Sequence, residues 1–209
     1  MRTPILLLLA ISFIISCESP QSSDSNREQK QEHKQNQEQE QTETAPAKVK
    51  DDDRVSGFFD LQVDGNSYKS TQLQDNYCDM TFLYKGEKSF VTIRFRDVET
   101  RNALLVTLYG DEDFIMDPSG TIEKFMFSNA DTKANIQLVP GEGNGAMSGM
   151  TMVEGSLTVT KFSKGQIEAT FNGKGGKAQD AVTKKNLVPL EGEIKLNTEN
   201  VTEMGKEES

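Results

Sequence analysis

The chain of 209 residues has no tryptophan, one histidine and two cysteines. Each shortage removes a class of chemistry. With His33 as the lone imidazole and no Gly-x-Ser-x-Gly elbow, triad-type serine hydrolysis is excluded. Zinc hydrolysis fails for want of imidazole and thiolate ligands. Cations are scarce as well: 23 Lys and Arg stand against 33 Asp and Glu, a formal net charge of −10. Nucleic-acid binders draw affinity from neutralising phosphates, so that partner class is excluded too. Long apolar runs are missing except at residues 5–15, and that run is about half of the ~20 residues a membrane-spanning helix needs.

That run has a context. Met1-Arg2-Thr3-Pro4 places one basic residue before it, and Ser16-Cys17 follows it, the layout of a secretory signal. With Ile14 three residues before Cys17 and the small Ser16 just before it, the segment resembles the signal of bacterial lipoprotein precursors. In that family the cysteine is acylated and becomes the first residue. The resemblance covers residues 1–17. It implies cleavage between Ser16 and Cys17, lipidation of Cys17, and a membrane-anchored place in the bacterial cell envelope, expected at the outer membrane. Each buried acyl CH₂ contributes roughly 0.8 kcal/mol, so two or more chains hold where one only dwells.

Residues 18–48 contain no Val, Ile, Leu, Met, Phe or Tyr, and seven glutamines alternate there with Glu, Lys, Asn and Ser. No apolar surface offsets the entropy of ordering, so the segment is expected to be a disordered tether. Residues 18–54 average about 35 Å end to end as a coil and roughly 120–130 Å at full extension. His33, flanked by Glu32 and Lys34, reads as a solvated tether residue. Asp51-Asp52-Asp53 reads as the edge of the domain.

All sixteen Gly and all four Tyr lie after Arg54. Beyond it the periodicity is that of strands. Phe59, Leu61 and Val63 alternate with polar residues, and so do Met80, Phe82 and Tyr84. Leu104, Val106 and Leu108 repeat the pattern, Ile136 and Leu138 end at Pro140, and Leu190, Ile194 and Leu196 form a last candidate. Ile122, Lys124 and Met126 alternate with Phe125 and Phe127 as a further strand candidate. Nine or ten short strands with no helical stretch of ten residues predict an all-β domain. A single antiparallel β-sandwich is expected, with an up-and-down barrel as the alternative. The expected organisation is a signal at residues 1–16, lipidated Cys17 and tether at 17–54, a β-domain at 55–201 and a flexible charged tail at 202–209.

The clearest hairpin is Glu154 onward, EGSLTVTKFSKGQIEATFNG, with the turn at Lys164-Gly165. Together with Leu190-Glu191-Gly192-Glu193-Ile194 it resembles the C-terminal half of envelope lipoproteins of unknown function, a resemblance over about a quarter of the chain that brings no active residues with it.

Candidate chemistry inside the domain is sparse. The glycine-rich run at residues 141–149 lacks the following helix that a phosphate loop needs; Met150 onward is strand-like, so the run reads as a loop, with Met147, Met150 and Met152 nearby. Asp111, Asp113 and Asp117 are oxygen donors of the kind that hold Ca²⁺, but Gly110 precedes them and Pro118 interrupts them, unlike the twelve-residue calcium loop; a solvated acidic turn is the favoured reading. Cys78 is the one thiol left once Cys17 is acylated. Next to Tyr77 and close to Met80 it reads as a buried strand residue with no base to activate it.

No catalytic constellation and no cofactor motif emerges. The sequence therefore reads as a lipid-anchored envelope protein that presents a β-domain to an envelope protein or a glycan. A carboxylate-dependent glycoside hydrolase and a purely structural envelope protein are the alternatives. A cleft lined by an aromatic such as Tyr68, Tyr77 or Tyr84 favours binding, facing carboxylates on a cleft floor favour a hydrolase, and a cleft-free surface favours a structural role.

Overall fold

The computed structural model describes residues 54–126, 131–141 and 149–206. The signal with Ser16 and Cys17, the tether with His33, Asp51–Asp53, Phe127 and Met147 lie outside them. The domain is all-β. Its strands are β1 (Val55–Val63), β2 (Asn66–Lys69), β3 (Asp79–Leu83), β4 (Ser89–Arg96), β5 (Ala103–Gly110), β6 (Gly120–Ile122), β7 (Ala134–Val139), β8 (Met150–Ser163), β9 (Gln166–Lys177), β10 (Val188–Thr198) and β11 (Val201–Met204). Two short helices, α1 (Glu112–Met116) and α2 (Ala178–Thr183), and a 3-10 turn at Asp75–Tyr77 complete it.

All eleven strands belong to one curled sheet that forms a half-barrel, in the order β11-β3-β4-β5-β7-β8-β9-β10-β1-β2, with β6 joined to β8. The expected sandwich and its barrel alternative thus meet in a single sheet that bends until its inner face encloses the core. Alternation drives the bend: Phe59, Leu61 and Val63 of β1, Val91, Ile93 and Phe95 of β4, and Leu104, Val106 and Leu108 of β5 all point inward and are buried. Phe59 meets Phe95 edge-on at 6.3 Å, and Phe82 meets Phe162 at 6.3 Å. These rings link β1 to β4 and β3 to β8, strands that are far apart in the sheet order. Each such side chain contributes roughly 1.5–3 kcal/mol on burial.

Two seams bring the ends of the sheet back toward each other. At one, the chain leaving β2 pairs with the end of β4: Leu73 bridges Asp97, Gln74 N–H donates to Arg96 O at 2.8 Å and Val98 N–H donates to Gln72 O at 2.9 Å. At the other, β11 continues β10 after two residues and pairs with β3, Val201 opposite Met80 and Met204 opposite Leu83. This is the one parallel pairing between named strands; the remainder are antiparallel. Thr202, Glu203 and Met204 were expected in a flexible tail and are strand instead. Their charge is used: Glu203 accepts from the buried Tyr84 hydroxyl at 2.5 Å and from Lys164 Nζ at 2.6 Å. Burial and the bond to Glu203 push the Tyr84 phenol up, while Lys164 and Tyr84 hold the Glu203 carboxyl below its ordinary value.

Between β7 and β8 the ladder is only two residue pairs long. Residues 111–126 occupy the divergence. β6 pairs with β8 on one side, Phe125 bridges Ala134 of β7 on the other, and Ile115, Ile122 and Phe125 turn into the core. Of the strand expected around Ile122–Met126, only Ile122, the last residue of β6, lies in a strand. A local alternation cannot report that its neighbour, β7, will pair with it through a single bridge.

The long β8–β9 hairpin bends where Gly155 faces Gly173. Gly155 has φ of +126°, and a Cβ on it would lie 2.2 Å from Asn172 O, so neither conformation nor space admits a side chain. Gly155→Ala is expected to lower the unfolding free energy by about 2–3 kcal/mol. Gly86→Ala, at a positive φ but with open space around it, is expected to cost about 1 kcal/mol. Chemical denaturation of the two variants checks the order.

Candidate functional site at the open end of the half-barrel

The ends of β1, β4, β7 and β9 and the starts of β2, β5, β8 and β10 gather at one end of the domain. Two depressions lie there, of about 450 and 770 Å³. Tyr68 and Pro140 line both, so the tyrosine is a ridge between them. The smaller is floored by Val63, Met150 and Val188 and edged by Lys177, Asp180 and Asn186. The larger is edged by Glu99, Arg101 and Asn102.

The walls are built by one buried side chain. Asp97 has no exposed surface and forms no ion pair among the described residues. Its Oδ1 accepts from the Thr71 N–H at 2.7 Å, the Gln72 N–H at 2.9 Å and the Thr71 hydroxyl at 3.1 Å. Its Oδ2 accepts from the Thr100 N–H at 2.7 Å and the Thr100 hydroxyl at 2.8 Å. Residues 71–72 follow closely on β2, the strand that carries Tyr68, and Thr100 precedes Arg101, so one carboxylate ties the aromatic ridge to the cationic wall. Burial alone would raise this carboxyl, but the donors from Thr100, Gln72 and Thr71 outweigh it and hold Asp97 below its ordinary value.

The same loop is pinned from the other side. Asn102 Oδ1 accepts from Gly141 N–H at 2.9 Å. A Cβ at Gly141 would lie 1.9 Å from Thr100 O, so only glycine lets the two loops touch. Arg101 is exposed and sits at φ of +58°, which is uncommon for an arginine. In the smaller depression Asn186 Nδ2 donates to Asp180 Oδ1 at 3.0 Å. Among the described residues, Arg101 and Lys177 engage no hydrogen-bond or ion-pair partner through their side chains.

A groove of about 530 Å³ lies away from this end, between the β4–β5 rim and Lys124, Met126 and Asp131–Lys133. Lys88, Lys124 and Lys133 border it with Tyr109 and Met126, and Lys133 Nζ stands 4.9 Å over the Phe114 ring. Glu87 and Asp131 at its edge offset the lysines. A shallow dent of about 350 Å³ on the outer face includes Asp60, Glu191 and Glu193 around Gly192. Asp60 and Glu193 are opposite each other in the β1–β10 register, but Asp60 is paired with Lys69 at 2.6 Å. Among the described residues, Asp97 and Glu203 are carboxyl groups held below their ordinary values. A glycosidase acid needs the opposite direction.

Of the residues singled out from sequence, Tyr68 is at the open end. Tyr84 is buried beside Glu203, and Tyr77 is exposed with the Arg96 guanidinium 5.7 Å from its ring. Asp111 caps α1 by accepting from Phe114 N–H at 2.8 Å, and Asp117 accepts from the Ser119 hydroxyl. Among the described residues no group of three or more His, Cys, Asp or Glu side chains is placed to hold a metal ion. Cys78 is buried; its sulfur accepts from Arg96 N–H at 3.2 Å, and burial pushes the thiol up. Sequence reasoning missed Asp97 and Arg101. Thr71 and Thr100 flanking a lone Asp carry no spacing signal, because the donors come from 25 or 26 residues upstream as well as 3 downstream. No protein-family model, curated protein or solved structure matches this chain.

Asp97→Asn removes the charge that the five donors surround and is expected to destabilise the domain by about 1–3 kcal/mol at neutral pH. A carboxyl depressed in the folded state contributes stability above its unfolded pKa of about 3.9, lost as pH falls toward the folded value. The gap between wild type and Asp97→Asn in denaturant titrations is therefore expected to narrow below about pH 4. In a Cys17→Ala chain, Cys78 is expected to resist maleimide in buffer and to react completely in denaturant, as mass spectrometry would read.

Proposed function

We propose that this chain is a lipid-anchored cell-envelope protein whose β-domain binds a ligand at the open end beside Tyr68. The anchor reading rests on the sequence: Ile14, Ser16 and Cys17 at lipoprotein-signal spacing, followed by an apolar-free tether. Among the described residues no helix is long and apolar enough to cross a membrane. The observation that supports binding is the pair of depressions flanking Tyr68, whose two walls are tied together by Asp97. A site that is already ordered loses little entropy when a ligand arrives. The hydrolase alternative is less well supported, because the carboxylates that face each other lie in a shallow dent and one is neutralised by Lys69. A purely structural role leaves the rigid, half-apolar open end without a use.

Radiolabelled fatty acid is expected to enter the wild-type chain in a bacterial host and not Cys17→Ala, and the variant is expected to leave the membrane fraction. Equal labelling of both overturns the anchor.

A further inference from the structure

The open end has a definite chemical character. Its ridge is an aromatic ring, half-buried and packed against the core. Its edges carry two cations, Arg101 and Lys177, and three carboxylates, Asp64, Glu99 and Asp180. They also carry planar amides, Asn66, Asn102 and Asn186. Donors and acceptors are therefore interleaved, and the local charge is close to balanced. An anion would meet three carboxylates, and a cation would meet Arg101 and Lys177. A fully apolar ligand would strip water from all of them without replacing it. Hydroxyl groups both donate and accept, and so can satisfy such a rim. A sugar ring adds an apolar C–H face that suits the face of a tyrosine. The ridge position matters as well: a ligand that fills both depressions must cross Tyr68, so the site suits a chain of rings more than a single one.

From this we infer that the two depressions form one extended site for an uncharged oligosaccharide, with a sugar ring stacked on Tyr68 and its hydroxyls bound by Arg101 and Glu99 on one side and by Lys177 and Asn186 on the other. This deepens the binding function proposed above and rests on it. Arg101 is the specificity element. Its backbone is fixed by a loop that Asp97 and Gly141 hold, and its unpartnered guanidinium offers five donors to the ligand.

The test is calorimetric titration of the full chain, in a detergent without sugar headgroups, with N-acetylchitotetraose, cellotetraose and maltotetraose. At least one is expected to saturate below about 10 mM. Tyr68→Ala is expected to weaken it at least about tenfold, and Tyr68→Phe to keep it within about threefold. Because the chain has no tryptophan, tyrosine emission is visible. The emission change on binding is expected to vanish in Tyr68→Phe while affinity persists, which locates the sugar. Arg101→Gly suits the positive φ and so stays folded; it is expected to weaken binding several-fold. Absence of saturation with all three sugars overturns the oligosaccharide assignment, and so does binding that Tyr68→Ala and Arg101→Gly leave unchanged. The broader function is judged separately, by whether the wild-type chain retains from envelope extract a component that both variants lose. Retention with no sugar binding discards the glycan and keeps the site, whereas failure of both discards the site.

Discussion

A buried carboxylate that forms no ion pair among the described residues holds this domain in shape. Asp97 gathers donors from residues 71–72 and from Thr100, and the seam between the two ends of the sheet runs through it. A charge removed from water is tolerable only when its lone pairs are filled, and here five hydrogen bonds fill them. The arrangement is directional, unlike the hydrophobic core, which fixes how much surface is buried but not which loop meets which. The curl of the sheet brings β2 and β4 near each other, and Asp97 decides their register at the open end.

The second seam works by continuity. β10 cannot hydrogen-bond to β9, β1 and β3 at one level, so after Thr198 the chain steps sideways and continues as β11 beside β3. Thr198 Oγ1 donates to Cys78 O at 3.1 Å and Asn200 Nδ2 donates to Asp75 O at 2.8 Å, which anchors the step. Residues 111–126 then cover the divergence between β7 and β8. With core, seams and cover in place, the open end beside Tyr68 is where loops are free to differ without disturbing the ladder.

Much of the strand content was legible because burial has a period of two. Phe59, Leu61 and Val63, Leu104, Val106 and Leu108, and the Ile167–Phe171 return of the hairpin all turn inward as their alternation requires. β11 was not legible: only Val201 and Met204 are apolar in it, and its pairing with β3 depends on a strand about 120 residues earlier. Tyr68 was legible as a candidate aromatic, but its place on a ridge was not. Arg101 had no signal, since its exposure and positive φ come from the contacts of Asp97 and Gly141.

By itself the sequence determined chemistry that local composition controls: the shortage of imidazole and thiol, the apolar run that ends at Ser16-Cys17, the apolar-free segment after it, and an all-β domain from alternation. Tertiary structure alone decided that the strands form one curled sheet, that Asp111 is a helix cap and Asp97 a staple, and that Tyr68 stands between two depressions. The reason is physical. Side-chain period is a property of neighbours in the chain, whereas seams, buried charges and concave surfaces arise where residues far apart in sequence are forced to share one small volume.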